Sequence, residues 1–176
     1  MTKPAPALLA STLLPLAIAV GPRAAFAQED IPDTPAWNRN VGLVTGTGIA
    51  ILIPDEGSAG GGLELSARYG FPVGPVVLAP GARLGGYYLQ ERLIGVLMPT
   101  GRVTLPLGPL APFVHAGAGV GGLSNPGDGG LSWLVGGGLM IHFGGAFSLG
   151  AEVNYSGITG TGFEVLSIGP TLIIGG

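Results

Sequence analysis

The chain has 176 residues, of which 47% are hydrophobic and only 10% are charged. Soluble domains carry about 25% charged residues, so this composition argues against an ordinary soluble domain. The 35 glycines and 16 prolines disfavour long helices, and the absence of cysteine excludes disulfides and cysteine-based metal or redox sites.

The first 27 residues have the features of a secretory signal peptide. Lys3 provides a positive start, residues 7–20 form an apolar core, and Ala-Phe-Ala at 25–27 is a small-x-small cleavage site. An uncleaved membrane anchor is the alternative, because Arg23 follows the apolar core. Cleavage removes Lys3 and Arg23 and leaves five basic against ten acidic residues, a net charge of −5. Without a basic patch, we expect no nucleic-acid partner.

Residues 28–40 combine acidic residues with two prolines and show little periodicity. This composition predicts a solvated lead-in on the periplasmic side of the membrane. Trp37 within it fits either an interfacial anchor or a loosely packed aromatic side chain.

From residue 41 onward the chain alternates between extended segments and turn signals. No apolar run of about 18 residues follows the signal peptide, so the pattern predicts no membrane-spanning helix. Apolar and polar residues instead alternate with a period of two, which predicts strands. The eight predicted strands are residues 41–53, 63–71, 76–88, 92–105, 110–122, 131–143, 147–155 and 163–174.

The second and third predicted strands form a hairpin with one apolar and one polar face. Successive side chains of a strand point to opposite faces, so Glu64 and Arg83 belong to the polar face. If Phe71 pairs with Val76 across the turn at 72–75, Glu64 lies directly opposite Arg83. The hairpin therefore predicts an ion pair.

The fourth strand breaks the alternation. Arg102 and Thr104 share a face with three apolar residues closer to the start of the strand. A bulge at 99–101 would turn those apolar side chains towards lipid, and we favour this interpretation. Without a bulge they would face inward and form a slot for a lipid or small apolar ligand. The residues concerned are Ile94, Val96 and Met98.

Turns and aromatic residues sort to two ends of the predicted sheet. The connections at 72–75, 106–109 and 144–146 are tight and uncharged, whereas those at 54–60, 89–91, 123–130 and 157–162 include the longest and most polar ones. This is the layout of a membrane barrel, with the short turns on the periplasmic side. A soluble β-sandwich is the alternative. The predicted belts are Phe71, Phe113, Phe143 and Phe147 beside the short turns, and Tyr87, Tyr88, Trp133, Tyr155 and Phe163 beside the long loops.

Over residues 41–174 the pattern resembles the small eight-stranded outer-membrane barrels of the OmpA-transmembrane and OmpX-like type. The resemblance implies an all-β, eight-stranded antiparallel up-and-down transmembrane β-barrel over residues 41–175. It also implies a monomer in the bacterial outer membrane, surrounded by lipid and lipopolysaccharide, with no cofactor or metal and no appended domain. Members of this family usually end the last strand on an aromatic residue, whereas this chain ends Ile-Ile-Gly-Gly at 173–176.

In a barrel the polar faces of the strands point into the lumen. An eight-stranded interior is just wide enough to be filled by side chains, and charges in a low-dielectric interior are expected to pair. The sequence therefore predicts a lumen plugged by charged residues, with a narrow channel as the alternative. The predicted lumen cluster is Glu64, Arg68, Arg83, Arg102 and Glu152.

The sequence favours a non-enzymatic barrel with a structural or loop-interaction role. The alternative is a barrel that binds or modifies lipid in the outer leaflet. Such an enzyme needs a base such as histidine beside a serine or acid at the outer rim. Both histidines, His115 and His142, are predicted in the periplasmic half, away from Ser124, Ser156 and Asp128.

Overall fold

The computed structural model describes residues 35–124, 129–143 and 147–175. The predicted signal peptide, most of the loop before the sixth strand and the turn at 144–146 lie outside the described residues. The described part contains a short helix, α1 (Pro35–Asn40), and eight strands: β1 (Gly42–Ile53), β2 (Gly60–Val73), β3 (Val76–Leu89), β4 (Arg92–Thr104), β5 (Leu110–Leu123), β6 (Gly129–His142), β7 (Phe147–Ile158) and β8 (Phe163–Gly175).

Each strand pairs antiparallel with the next along the chain, and β8 pairs with β1 to close the sheet. The predicted eight-stranded antiparallel up-and-down barrel is therefore confirmed. Closure leaves the sheet with no unpaired edge. Among the described residues, no helix is both long and apolar enough to cross a membrane.

The two ends of the barrel differ. One end, here called the helix rim, carries α1 and the connections at 74–75 and 105–109. The opposite end, the loop rim, carries the connections at 54–59, 90–91 and 159–162. The connection between β3 and β4 is a two-residue turn, with Gln90 and Glu91 both at positive φ, although the sequence placed it among the longer polar loops.

The outer surface of the barrel is apolar. Outward positions alternate with inward ones along every strand, and among those of the described strands the only charged residue is Glu164, at the loop-rim end of β8. A strand of 13 residues such as β4, tilted by about 40°, spans on the order of 30 Å. Large apolar side chains that are about half exposed include Leu43, Ile49, Leu65, Leu84, Leu97, Val120, Val135 and Ile168.

The predicted register of the β2–β3 hairpin is wrong by two residues. Phe71 pairs with Leu78 rather than with Val76, and the partner of Glu64 is Gly85. The difference arises because the turn contains two residues, 74–75, rather than four. A shift of two preserves the face of every side chain, so Glu64 and Arg83 still share the lumen as diagonal neighbours.

The predicted bulge in β4 is also wrong. Pairing of β4 with β3 and with β5 keeps one register on both sides of residues 99–101. Ile94, Val96 and Met98 therefore face the lumen, at 3%, 6% and 1% exposure. The alternation in β4 looked broken because the lumen is not polar along its whole length.

Candidate functional site: the lumen

The predicted lumen cluster meets near the middle of the barrel. Arg83 forms ion pairs with both Glu64 and Glu152, and Nη2 of Arg102 lies 3.6 Å from Oε2 of Glu152. With Arg68, these five residues come from β2, β3, β4 and β7, and none is more than 7% exposed. We call them the charge layer. They share the lumen because every second residue of each strand points inward.

Two neutral side chains complete the hydrogen bonding of the glutamates. The hydroxyl of Tyr87 donates to Oε1 of Glu64 at 2.6 Å, and the amide of Asn154 donates to Oε1 of Glu152 at 3.1 Å. The placement of Tyr87 in a lipid-facing belt is therefore wrong. Tyr87 has the same inward parity as Arg83, and its hydroxyl reaches a buried carboxylate, so its burial leaves no polar group unpaired.

Arg102 is held from a second direction by an aromatic ring. Its guanidinium carbon lies 3.7 Å from the centre of the Phe113 ring, a cation–π contact. Phe113 is 4% exposed, so its predicted place in the periplasmic belt is wrong as well. The neighbouring His115 Nε2 lies 2.6 Å from Oδ1 of Asn154, which connects β5 to β7 across the same level.

Towards the loop rim, the charge layer is covered by an apolar layer that sequence reasoning missed. Met98 and Tyr87 lie on the side of this layer that is nearest the charge layer. Phe163, which is 8% exposed, lies on the side that is nearest the loop rim. The predicted place of Phe163 in the outer belt is therefore wrong. The whole layer consists of Ala50, Leu52, Tyr87, Leu89, Ile94, Val96, Met98, Leu134, Ile158, Phe163 and Val165.

Towards the helix rim, a second apolar layer covers the charges. It consists of Ala36, Val44, Ala111, Phe113, Met140 and Ile173. Because Ala36 lies in α1, the helix is part of this layer. The described end of the segment before the barrel is therefore not simply solvated, as its composition predicted: Trp37 is 5% exposed and Asn40 3%. The aromatic residue in an otherwise polar segment was the only signal of this packing.

Four polar contacts lie around α1 in the barrel mouth, and two of them join the helix directly to the barrel. The amide nitrogen of Asn40 donates to the carbonyl of Ala36 at 2.8 Å and lies 3.0 Å from Nε2 of His142. Nδ1 of the same imidazole lies 2.5 Å from Oγ of Ser148. The main-chain N–H of Ala36 donates to the carbonyl of Gly108 at 3.1 Å. These contacts join the helix to the turn after β4 and to β6 and β7.

The Asn40–His142–Ser148 chain has the residue types of a hydrolytic triad but the wrong arrangement. Because the Asn40 amide donates to Nε2, the proton of His142 lies on Nδ1 and is donated to Ser148, so the imidazole is not placed to deprotonate the serine. Ser148 is also 0% exposed. The arrangement fits a structural tie. The sequence-based prediction did not pair His142 with Ser148, because it considered only serines at the outer rim.

Six of the nine residues predicted for the aromatic belts lie on the outer surface. Phe71, Phe143 and Phe147 are 43–48% exposed near the helix rim, and Tyr88 and Tyr155 are 54% and 39% exposed near the loop rim. Trp133 is half-buried, and its ring packs edge-on against Tyr155 with centroids 5.3 Å apart.

The loop rim contains an open depression. Its walls carry Asp55, Glu56 and Glu164 with a single cation, Arg92, and its floor is apolar. No group of three potential metal ligands comes together among the described residues.

Sequence comparison finds no matching protein-family model and no matching curated protein, whereas structural comparison finds solved structures with a similar fold. Neisserial surface protein A has a TM-score of 0.55 at 12% identity, over 76% of this chain and 96% of that one. The outer membrane enzyme PagL has a TM-score of 0.53 at 16% identity, over 73% of this chain and 98% of the other. The chain has the fold of the small eight-stranded outer-membrane β-barrels. The N-terminal β-barrel domain of OprF from Pseudomonas aeruginosa, with a TM-score of 0.52 at 16% identity over 76% and 97% of the two chains, shares this fold. The predicted resemblance is confirmed at the level of fold.

Proposed function

We propose that the chain is a non-enzymatic protein of the bacterial outer membrane whose lumen is plugged by the charge layer, with a structural role. The observation that carries the proposal is the inverted polarity of the barrel. Outward positions of the described strands are uncharged apart from Glu164 at the rim, whereas five charged residues are buried inside. Such a surface is stable in hydrocarbon, where a closed barrel satisfies every backbone hydrogen bond.

The order of layers along the lumen supports a plug rather than a channel. Apolar layers lie on both sides of the charge layer, and α1 lies in the mouth at the helix rim. The cavity beside the charges has a volume of about 20 Å³, and a single water needs on the order of 10–15 Å³. An ion that crossed this lumen would have to displace two packed apolar layers.

The connections at the loop rim support a structural role over adhesion. The described ones contain six residues at 54–59, two at 90–91 and four at 159–162, so they project little surface. Lipid and lipopolysaccharide are then the expected surroundings of a monomeric barrel delivered by a cleaved signal peptide. The depression at the loop rim does not favour a site for lipid phosphates, because its three acidic side chains outnumber its one arginine.

An enzymatic role has little support, although PagL is an enzyme with this fold. His142 and its serine neighbour are buried beneath α1, and His115 contacts Asn154 inside the lumen. Neither imidazole reaches the outer rim, where a lipid would enter. We therefore expect the purified barrel to lack lipase and deacylase activity on outer-membrane lipid, and turnover above that of a boiled sample would contradict this.

Conductance in planar bilayers tests the plug. We expect no steady single-channel steps from the unaltered protein at moderate voltage. Steady steps that disappear in Glu64→Ala or Arg83→Ala would instead identify the charge layer as a gate. Electrophoresis of the membrane fraction tests the barrel itself: a boiled and an unboiled sample should migrate differently. Identical migration of a protein found in the soluble fraction would contradict the membrane location.

A further inference from the structure

The charge layer contains more positive than negative charge. Three arginines share the lumen with two glutamates, and all five side chains are at least nine-tenths buried. Arg83 is paired with both carboxylates and Arg102 lies near one of them. Among the described residues, the guanidinium of Arg68 has a single hydrogen bond, from Nη1 to Oγ of Ser66 at 3.3 Å. In the described part of the lumen, the charge layer therefore has one positive charge more than its carboxylates balance, which is unfavourable in a low-dielectric interior.

The arginines also have unused donors, and the three residues line one cavity. Nη2 of Arg68, Nε of Arg83 and Nη1 of Arg102 are buried and have no hydrogen-bond partner among the described residues. All three residues line the cavity of about 20 Å³. Guanidinium N–H groups can only donate, so whatever satisfies them must accept hydrogen bonds.

The two carboxylates that line the same cavity are already engaged. Glu64 accepts from Arg83 and Tyr87, and Glu152 accepts from Arg83 and Asn154. Oε2 of Glu152 lies 3.6 Å from Nη2 of Arg102, but neither carboxylate reaches the unused donors, Nη2 of Arg68 and Nη1 of Arg102. In this part of the cavity two guanidinium groups, those of Arg68 and Arg102, face the single carboxylate of Glu152.

We propose that the lumen binds one small inorganic anion of about the size of chloride, between Arg68 and Arg102. An anion accepts hydrogen bonds from both guanidinium groups and also balances the excess charge, whereas a water molecule does only the first. A cavity of about 20 Å³ favours a small ion over a long carboxylic acid. Because apolar layers lie on both sides of the site, the anion would be trapped when the barrel folds rather than exchanged afterwards.

The inference goes beyond the structural role proposed above and shares with it only the closed lumen. Conductance measurements test the closure, and the measurements that follow test the site, so the two can fail separately. A conducting barrel with a chloride-dependent midpoint would refute the plug and keep the anion site.

The test is refolding in different salts. The full-length protein is unfolded in urea and refolded in neutral detergent with either sodium chloride or sodium gluconate at equal ionic strength, so that general screening is matched. We expect the thermal midpoint to rise with chloride concentration, as mass action requires for a ligand that binds only the folded state. Bromide should act like chloride, and gluconate, which is too large for the cavity, should not. Equal midpoints in all three salts would mean that the cavity holds water only and would overturn the proposal.

A variant separates the site from a general salt effect. Arg68→Met makes the charge layer neutral and removes one unused donor, so the chloride-dependent rise should be lost. Arg92→Met, at the exposed loop rim, removes the same side chain outside the lumen and should keep the rise. A rise that persists in Arg68→Met would refute the site. If Arg68→Met does not refold, anomalous scattering from bromide in crystals of the unaltered protein decides: a peak inside the charge layer supports the site, and its absence there refutes it.

Discussion

Arg83 is the centre of the charge layer, and its replacement by methionine provides the sharpest test of the lumen. Methionine keeps most of the length of the side chain but removes the cation that bridges Glu64 and Glu152. Removing one partner of a buried ion pair costs about 3–5 kcal/mol. Because Arg83 serves two carboxylates and Glu64 has no other cation within ion-pairing distance among the described residues, we expect a loss in the upper part of that range.

The measurement is equilibrium unfolding by urea in detergent micelles, followed by the fluorescence of the two tryptophans. Arg92→Met is the matched control, since it removes an exposed arginine at the loop rim, and it should unfold close to the unaltered protein. Adding Glu64→Gln to Arg83→Met should restore part of the lost stability, because glutamine removes the uncompensated charge and can still accept from Tyr87. The reasoning is refuted if Arg83→Met unfolds like Arg92→Met, or if Glu64→Gln lowers the stability of Arg83→Met further.

Three other substitutions test separate parts of the structure. Tyr87→Phe removes the donor to the Glu64 carboxylate and should lower the free energy of unfolding by about 1.5–3 kcal/mol. Leu84→Arg puts a charge on the lipid face near the middle of β3 and should cost about 2–4 kcal/mol when the barrel folds into a bilayer. Gly70→Val should displace α1, because a Cβ at residue 70 would collide with the last carbonyl of the helix; acrylamide should then quench the fluorescence of Trp37, which is 5% exposed, more strongly.

Each of these substitutions has a matched control. Tyr88→Phe alters a neighbouring tyrosine on the outer surface and should change stability little. Leu93→Arg lies near the loop rim, where the cost of a charge falls to about 0–1 kcal/mol. Gly86→Val adds the same side chain at a position with open space around its Cβ. The quenching experiment uses a Trp133→Phe background so that only one tryptophan reports. Equal effects of a test and its control would contradict the corresponding assignment.

The strand pattern was predictable because a barrel repeats one simple rule. Alternation places every second residue inside, and this rule located all eight strands, including β8, whose predicted bounds of 163–174 agree with Phe163–Gly175 to one residue. The same rule could not give the register of the β2–β3 hairpin. A period of two defines the face of a residue but leaves shifts of two equally acceptable, and the Pro-Val-Gly-Pro sequence at 72–75 allows more than one turn.

The errors inside the lumen have one physical cause. Reasoning from the sequence assumed that inward side chains are polar, so it assigned Phe113 and Phe163 to lipid-facing belts and inserted a bulge into β4. In the described lumen, apolar clusters lie on both sides of the charges. An apolar side chain is stable inside or outside such a barrel, so its hydropathy does not reveal its direction. Its direction follows only from whether it lies an even number of positions from a charged residue of the same strand. Tyr87 lies an even number of positions from Arg83 and therefore also points inward.

The apolar layers also explain why the charge layer should act as a plug rather than as a water-filled constriction. Water above and below the charges would hydrate each ion and weaken the attraction between them, as at a protein surface. Packed apolar layers instead keep the local dielectric constant low, so that an unpaired charge becomes costly and the five charged side chains are held in one arrangement. The same low dielectric makes the surplus charge near Arg68 unfavourable unless an anion balances it. The stability of the charge layer and its predicted dependence on chloride therefore have a common origin in the packing of Met98 on one side and Phe113 on the other.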